Sequence, residues 1–140
     1  MTAFTDLHAG CAALGARLFT VTRLDEDKAQ FARVYTSHPA EYPVSGTKPM
    51  QKDGWYDTTI AGRQTFVANT PPEFAQYFFD HELIVSLGLG SCITVPVMDG
   101  DRVLGTVNIL AEAEHFSAER LAGYAALVAG AAPALAAELR

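Results

Sequence analysis

The sequence predicts an α+β domain, in which an antiparallel sheet of about five or six strands carries the terminal helices on one face. Three observations support this class. Each end of the chain has a helical pattern, a pair of alternating strands lies next to each terminal helix, and a long irregular stretch separates the pairs. Sheet strands paired as hairpins are antiparallel, and we expect the irregular segments to cover the other face.

In the first half, apolar residues from Phe4 to Leu18 recur every three or four positions, which predicts an amphipathic helix capped by Thr5 or Asp6. Residues 18–24 and 31–37 alternate apolar with polar side chains and predict a hairpin. The stretch 38–54 holds three prolines and two glycines, so no regular element of any length is expected there. A loop this long is often functional.

In the second half, we expect one or two helical turns ending at Gly62, a short strand within 64–69, and a helix over 70–88. Two further strands follow at about 91–98 and 103–110. Ser117 then caps a last helix, which Pro133 should kink.

The composition fits one domain over residues 1–140: 49% of the residues are hydrophobic and 19% are charged. A net charge of -6 without a basic stripe argues against nucleic-acid binding. The chain has no run of about eighteen apolar residues and no basic segment before an apolar start, so we expect neither a membrane span nor a secretory signal. Two distant cysteines do not form a disulfide framework, and a cytoplasmic location is expected.

Side-chain alternation sorts the last two strands into a polar and an aliphatic face. Cys92 and Thr94 share one face of their strand, as Thr106 and Asn108 do in the next. A connecting loop with an odd number of residues would place all four on the same side of the sheet, and we therefore predict an odd loop. Gly105 would lie on the aliphatic face, where it suits close packing of a helix.

These last strands resemble the C-terminal half of a GAF domain. The resemblance rests on Ser91, the Val-Pro-Val run at 95–97, the Asp-Gly turn at 99–100, the LGTVNIL strand at 104–110 and the HFSAERL segment at 115–121. The middle segment is similar to that of small stand-alone bacterial GAF proteins. The resemblance implies a PAS-like sheet whose pocket lies away from the terminal helices, under loops and a short helix. It also implies a small-molecule ligand and a homodimer through the terminal helices. Many members of the family regulate an attached enzyme, but here the GAF domain is expected to use all 140 residues, so we expect any signalling partner to be a separate protein.

The candidate ligand contacts come from both halves of the chain. Arg33 and Tyr35 share a face of their predicted strand, and an arginine beside aromatic rings suits an anion or a planar ligand. The alternative is an ordinary sheet edge with core aromatics. For Thr94, Thr106 and Asn108, the alternative is hydrogen bonding to the backbone of the covering loop. The full set is Arg33, Tyr35, Trp55, Tyr56, Asn69, Phe78, Cys92, Thr94, Thr106 and Asn108.

Three functions remain open from the sequence. The first is a sensory domain without catalytic residues that binds a small molecule. The second is a thiol enzyme like the free methionine-(R)-sulfoxide reductases, with Cys92 as its catalytic residue. The third is a purely structural dimerisation module. The four histidines lack metal-ligand spacing, so no metal site is expected. The sequence lacks the cyclic-nucleotide and bilin signatures of GAF domains, and it names neither ligand nor cofactor.

Overall fold

The computed structural model describes residues 2–140 and confirms the predicted class. Six strands form one antiparallel sheet in the order β3-β2-β1-β6-β5-β4. The elements are α1 (Ala3–Ala13), β1 (Leu18–Asp25), β2 (Gln30–Thr36), β3 (Thr47–Pro49), α2 (Gly54–Tyr56) continuing into a π-helical turn (Asp57–Ala61), β4 (Phe66–Ala68), α3 (Pro71–Ala75), α4 (His81–Ser86), β5 (Ser91–Asp99), β6 (Arg102–Ala111) and α5 (Ala118–Leu139).

The first helix begins earlier than predicted. Its N-cap is Thr2, whose hydroxyl accepts from the backbone N–H of Thr5 at 3.2 Å, while the Thr5 hydroxyl accepts from the N–H of Thr2 at 2.9 Å. This reciprocal pair is a capping box, and Thr5 therefore lies at its third position. The helix ends at Ala13, so Leu18 belongs to β1 and not to the helical stripe.

Helices α1 and α5 pack on one face of the sheet, which we call the helix-covered face. The side chains buried there are almost entirely apolar, as the alternation in the strands predicts. They include Phe4, Leu7 and Cys11 of α1, Phe19 and Val21 of β1, Ile93 and Val97 of β5, Val107 and Ile109 of β6, and Tyr124, Val128 and Leu135 of α5.

The last helix follows the prediction at its start, where the Ser117 hydroxyl accepts from the backbone N–H of Arg120. It continues through Pro133 as a single element. Within residues 2–140 it is the one helix that passes as a membrane span by length and composition, with a mean hydropathy of 1.4. Core helices pass the same test, and five residues of α5 are buried.

The opposite, loop-covered face carries only short elements. The helix predicted over 70–88 is two helices, α3 and α4, separated by residues 76–80. The irregular stretch contains one short strand that the sequence did not predict, β3, which pairs with β2 at the sheet edge. The predicted helical turns ending at Gly62 are present as α2 and its π-helical extension.

A bulge in β2 decides which side chains reach the loop-covered face. Val21 of β1 pairs with Tyr35, but the next residue, Thr22, pairs with Arg33. Val34 is therefore the extra residue of a β-bulge, and the bulge turns Arg33 and Tyr35 to opposite faces. The expectation that these two share a face is wrong for this reason.

A second bulge replaces the odd loop predicted between the last two strands. The turn has only two residues, Gly100 and Asp101, and Gly100 has a φ of 62°, as the first position of a type II′ turn requires. Leu104 is the extra residue, because Val97 pairs with Gly105 while Met98 pairs with Val103. Beyond the bulge the predicted alignment holds, since the bulge supplies the odd residue.

Gly105 has a different structural reason from the one expected. A Cβ atom at this position would collide with the backbone carbonyl oxygen of Thr22 in the neighbouring strand. The glycine therefore permits the close approach of β6 to β1.

Candidate functional site

A cavity of about 120 Å³ lies between the loop-covered face and the segments above it. Strands β1, β2, β5 and β6 form its floor, and segments 42–55 and 78–84 form its cover. Its apolar walls include Leu18, Phe31, Trp55, Phe78, Ile84 and Leu110. Small-molecule sites typically combine such walls with a few placed polar groups.

The cavity floor carries a hydrogen-bonded row of polar side chains across β1 and β6. The Thr22 and Thr106 hydroxyl oxygens lie 2.6 Å apart, and the Thr106 hydroxyl also lies 3.2 Å from the Asn108 Oδ1. The Asn108 amide donates to the Thr20 hydroxyl at 3.1 Å. These groups form hydrogen bonds with one another, within β6 and across to β1, and not with the backbone of the covering loop. All four side chains line the cavity.

Trp55 links the cover to the floor. Its indole Nε1–H donates to the Thr94 hydroxyl oxygen at 3.2 Å, and its ring meets Phe31 edge to face with centroids 5.4 Å apart. Trp55 is placed by the short helix α2, whose N-cap Asp53 accepts from the backbone N–H of Tyr56 at 2.9 Å. The indole thus fixes the cover at one position over the sheet.

Arg33 brings a guanidinium to the cavity. Its Nη1 donates to the carbonyl oxygen of Pro43 at 2.9 Å, and its Cζ lies 5.0 Å from the centre of the Tyr42 ring. Its Nε is buried, and no atom of residues 2–140 accepts a hydrogen bond from it. Burial lowers the pKa of Arg33, while Tyr42 and Asp80 act in the opposite direction.

Lys48 is the second cation of the cavity. It lies on the edge strand β3, and its Nζ sits 5.2 Å from the Trp55 ring centre and 4.9 Å from that of Phe78. In the described chain, no carboxylate oxygen lies within 4.0 Å of this ammonium group. Burial lowers the pKa of Lys48, and the more distant Asp80 and Asp53 oppose that effect. The ammonium is held by aromatic faces alone.

Asp80 is the carboxylate of the cavity lining, and it already accepts a hydrogen bond. The Tyr42 hydroxyl donates to its Oδ2 at 2.6 Å. Burial, followed by this hydrogen bond, raises the pKa of Tyr42 well above its usual range, so the phenol stays protonated. The lining therefore contains two cations, Arg33 and Lys48, and a single carboxylate that already accepts from a phenol.

The environment of Cys92 does not favour thiol chemistry. Its side chain is buried, and burial raises the pKa of the thiol to about 12. A nucleophilic cysteine needs the opposite shift, toward the thiolate. The second cysteine, Cys11, packs among the side chains of the helix-covered face, on the other side of the sheet. Nothing in this arrangement supports a pair of catalytic and resolving cysteines.

Three of the predicted contacts lie elsewhere. Because of the bulge at Val34, the Tyr35 hydroxyl bonds His8 Nδ1 at 2.8 Å on the helix-covered face. Tyr56 packs beside the cavity without lining it, since neighbouring residues of a helix point in different directions. Asn69 holds β4 to the segment before α5 by accepting from the N–H of Phe116 at 3.0 Å and donating to its carbonyl oxygen at 3.1 Å.

The other predicted contacts lie together around the cavity, and the structure adds more. The predicted lining residues are Arg33, Trp55, Phe78, Cys92, Thr94, Thr106 and Asn108. Thr20 and Thr22 were not predicted as lining residues, although the alternation of apolar and polar residues in β1 contained that signal. Lys48, Tyr42 and Asp80 were not predicted either, because the irregular segments that carry them have no periodic pattern. Within residues 2–140, no cluster of three or more His, Cys, Asp or Glu side chains could hold a metal ion.

The sheet topology and the cavity define the class. A six-stranded antiparallel sheet with terminal helices on one face and a loop-covered cavity on the other is the architecture expected of a GAF domain. A model of the GAF domain family, GAF_2, matches residues 4–136. The chain therefore belongs to the GAF domain family, whose members commonly bind small ligands and sit in signalling proteins.

Solved GAF domains share the fold at low sequence identity. The GAF domain of a two-component sensor histidine kinase from Bacillus halodurans matches with a TM-score of 0.74 and 13% identity, over 99% of this chain and 96% of that one. A GAF domain/HD domain protein from Geobacter sulfurreducens matches with a TM-score of 0.73 and 19% identity, over 93% of this chain and 87% of that one. The second GAF domain of DevS from Mycobacterium smegmatis matches with a TM-score of 0.68 and 21% identity, over 97% of this chain and 94% of that one. No curated protein matches the chain.

Proposed function

We propose that this chain is a non-enzymatic sensory GAF domain that binds a small molecule in the cavity of its loop-covered face and regulates a partner protein. The observation that carries this proposal is the lining of the cavity. Apolar walls surround a polar floor and two cations that lack an ion pair within residues 2–140. A core serving packing alone would avoid such groups, because buried polar and charged atoms are costly without partners.

A route from the cavity to the last helix supports a regulatory role. Thr22 lines the cavity, and the next residue of β1, Arg23, reaches the end of α5. Its Nε donates to the carbonyl oxygen of Leu139 at 3.1 Å, and its Nη2 donates to that of Glu138 at 3.2 Å. A ligand that shifts the floor of the cavity would therefore shift the end of α5.

The partner we propose is a signalling protein separate from this chain, and the proposal of a signalling role is supported by the proteins to which similar GAF domains belong. Similar structures come from a sensor histidine kinase and from a phosphoenolpyruvate-protein phosphotransferase. Hydrogen exchange of α5 with and without a bound ligand tests the transmission step. We expect slower exchange near Glu138 and Leu139 in the bound protein, and unchanged exchange throughout α5 would contradict a regulatory role.

We also propose a homodimer through the terminal helices. Between Arg120 and Glu138, helix α5 has no charged residue, and its exposed positions are mostly alanine and glycine, which permit close helix approach. Sedimentation of the wild type at micromolar concentration should show a dimer, and Ala126→Arg should give a monomer. The control Ala40→Arg places the same charge at an exposed position away from the helices and should leave the dimer intact. A monomeric wild type would contradict the proposal.

The ligand-binding proposal is tested by a metabolite screen with two readouts. Thermal shift reports stabilisation by any ligand that binds the folded state. Trp55, the only tryptophan, lines the cavity, so its fluorescence reports occupancy of that site. We expect at least one compound to raise the unfolding temperature and change Trp55 emission together. A flat response across polar, charged and aromatic metabolites would contradict the proposal.

A further inference from the structure

The charges around the cavity are unbalanced in a way that bears on the chemistry of its ligand. The whole chain has a net charge of -6, yet Arg33 and Lys48 both contribute cations to this one cavity. Asp80 is the carboxylate of the lining, and the hydroxyl of Tyr42 already occupies its Oδ2. The lining therefore carries one positive charge in excess. A cationic ligand would increase that excess, and a monoanion would cancel it.

The two cations also have donor capacity left for an anion. Arg33 uses Nη1 to hold the loop through Pro43, while its Nε and Nη2 donate to no atom of residues 2–140. These two nitrogens form one edge of the planar guanidinium, and such an edge matches the two oxygens of a carboxylate. Because Nε is buried beside Tyr42, full bidentate contact requires the guanidinium to turn toward the cavity.

Lys48 supplies the second donor. Its ammonium group has three N–H donors, and none of them has a hydrogen-bond acceptor within the described chain. The rings of Trp55 and Phe78 hold the cation in place without consuming those donors. Burial lowers the pKa of Lys48, and an anion beside the ammonium would reverse that shift.

The volume and the walls limit the rest of the ligand. An apolar cavity of about 150 Å³ holds a benzene molecule, and this cavity is somewhat smaller at about 120 Å³. The part of a ligand that this volume encloses is therefore compact, about the size of one small ring or a short branched chain. Leu18 and Leu110, which pair across β1 and β6, line the cavity together with Phe31, and these apolar side chains suit a compact apolar body. A phosphate dianion would exceed the single excess charge.

From this arrangement, and resting on the proposed function, we infer that the ligand is a small organic monocarboxylic acid. Its carboxylate lies between Arg33 and Lys48, and its compact apolar body contacts Trp55. The polar floor formed by Thr106 and Asn108 is available to a hydroxyl or keto group on that body.

The test compares acids with their neutral amides, which have nearly the same shape. Isovalerate and isovaleramide form one pair, and benzoate and benzamide form another. Each is titrated at constant ionic strength while the emission of Trp55 is followed. We expect at least one acid to saturate the signal with an affinity at least ten-fold above that of its amide.

A variant pair locates the charge that is responsible. Lys48→Met removes the ammonium and keeps an apolar stem between the rings, and it should weaken acid binding at least ten-fold without affecting amide binding. The control Lys28→Met makes the same charge change at an exposed lysine in the β1–β2 turn and should leave both affinities unchanged. An equal loss for both variants would overturn the assignment of Lys48.

The remaining outcomes separate this inference from the proposed function. If the amides bind as tightly as the acids, or if only a neutral metabolite binds, the carboxylate assignment is wrong and the sensory function stands. If no compound of any charge changes Trp55 emission or the unfolding temperature, both fail. The comparison of acid with amide uses the wild-type protein, so it remains decisive even if Lys48→Met does not fold.

Discussion

The two faces of the sheet use the same strands but different side chains. The helix-covered face buries an apolar cluster under two helices, of which α5 has 22 residues. The loop-covered face carries a hydrogen-bonded polar floor and two cations under helical segments of at most eight residues. Alternation along each strand lets one sheet serve both purposes. The difference indicates that one face stabilises the fold and the other maintains a cavity at some cost in stability.

The largest loss of stability should come from shortening a buried side chain on the helix-covered face. Leu135→Ala removes a fully buried side chain of α5, and we expect a loss of roughly 2–5 kcal/mol in the free energy of unfolding. Leu110→Ala on the cavity wall should lose less than half as much, because its side chain already borders open space. Urea denaturation of the two variants measures the contrast. Equal losses would mean that the two faces do not differ in packing.

Substitutions in the polar floor of the cavity should cost less stability than Leu135→Ala. Asn108→Ala removes the amide that donates to Thr20 and accepts from Thr106. We expect a loss of about 1–3 kcal/mol in the free energy of unfolding, because two buried hydroxyls lose a partner. Urea denaturation checks this value. A loss near zero would show that water replaces the amide at no cost.

The pH dependence of stability should depend on two histidines that bond tyrosines on the side of the helix-covered face. Burial lowers the pKa of His115 and of His8 below the usual value for histidine of about 6.5. Both rings form hydrogen bonds with tyrosine hydroxyls, His115 with Tyr124 at 2.7 Å and His8 with Tyr35 at 2.8 Å. The unfolded chain therefore binds protons first as the pH falls. The free energy of unfolding should decline as the pH drops below about 6.5 and level off below the folded-state pKa values.

Denaturation at several pH values between about 7.5 and 5.5 measures that decline. The variant His115→Gln keeps a polar side chain near Tyr124 but cannot titrate, so its decline should be shallower than that of the wild type. An identical slope in the variant would show that His115 is not the group responsible.

The smallest effect on stability should come from substituting Lys48. Its ammonium has no ion pair in the described chain, so Lys48→Met should leave the free energy of unfolding within about 0.5 kcal/mol of the wild type or raise it slightly. Thermal unfolding of this variant beside Lys28→Met checks the value. A loss above 1 kcal/mol would assign Lys48 a structural role through the rings of Trp55 and Phe78.

The sequence predicted those helices and strands that are long enough to show a regular pattern of apolar and polar residues. Examples are the terminal helices, the strands β1, β2, β5 and β6, the cap at Ser117, and the polar alignment of Thr94 with Asn108, which pair across β5 and β6. It could not locate the bulges at Val34 and Leu104, because the extra residue of a bulge carries no distinct composition. The bulge at Val34 is why Arg33 reached the cavity and Tyr35 did not.

The cover of the cavity was harder to predict than its floor. Lys48, Tyr42 and Asp80 lie in short or irregular segments, and tertiary contacts alone fix their positions. Lys48 approaches Trp55 and Phe78 because β3 pairs with β2 at the sheet edge, a pairing of three residues. Strands this short leave almost no periodic signal in the sequence.

The most direct test of the account is a crystal structure of the protein with the acid that binds best in the Trp55 titration. We predict electron density for its carboxylate between the Arg33 guanidinium and the Lys48 ammonium, with its apolar body against Trp55. Density at another surface, or a cavity closed by the protein's own side chains while the acid still binds, would contradict the claim that the loop-covered face holds the ligand.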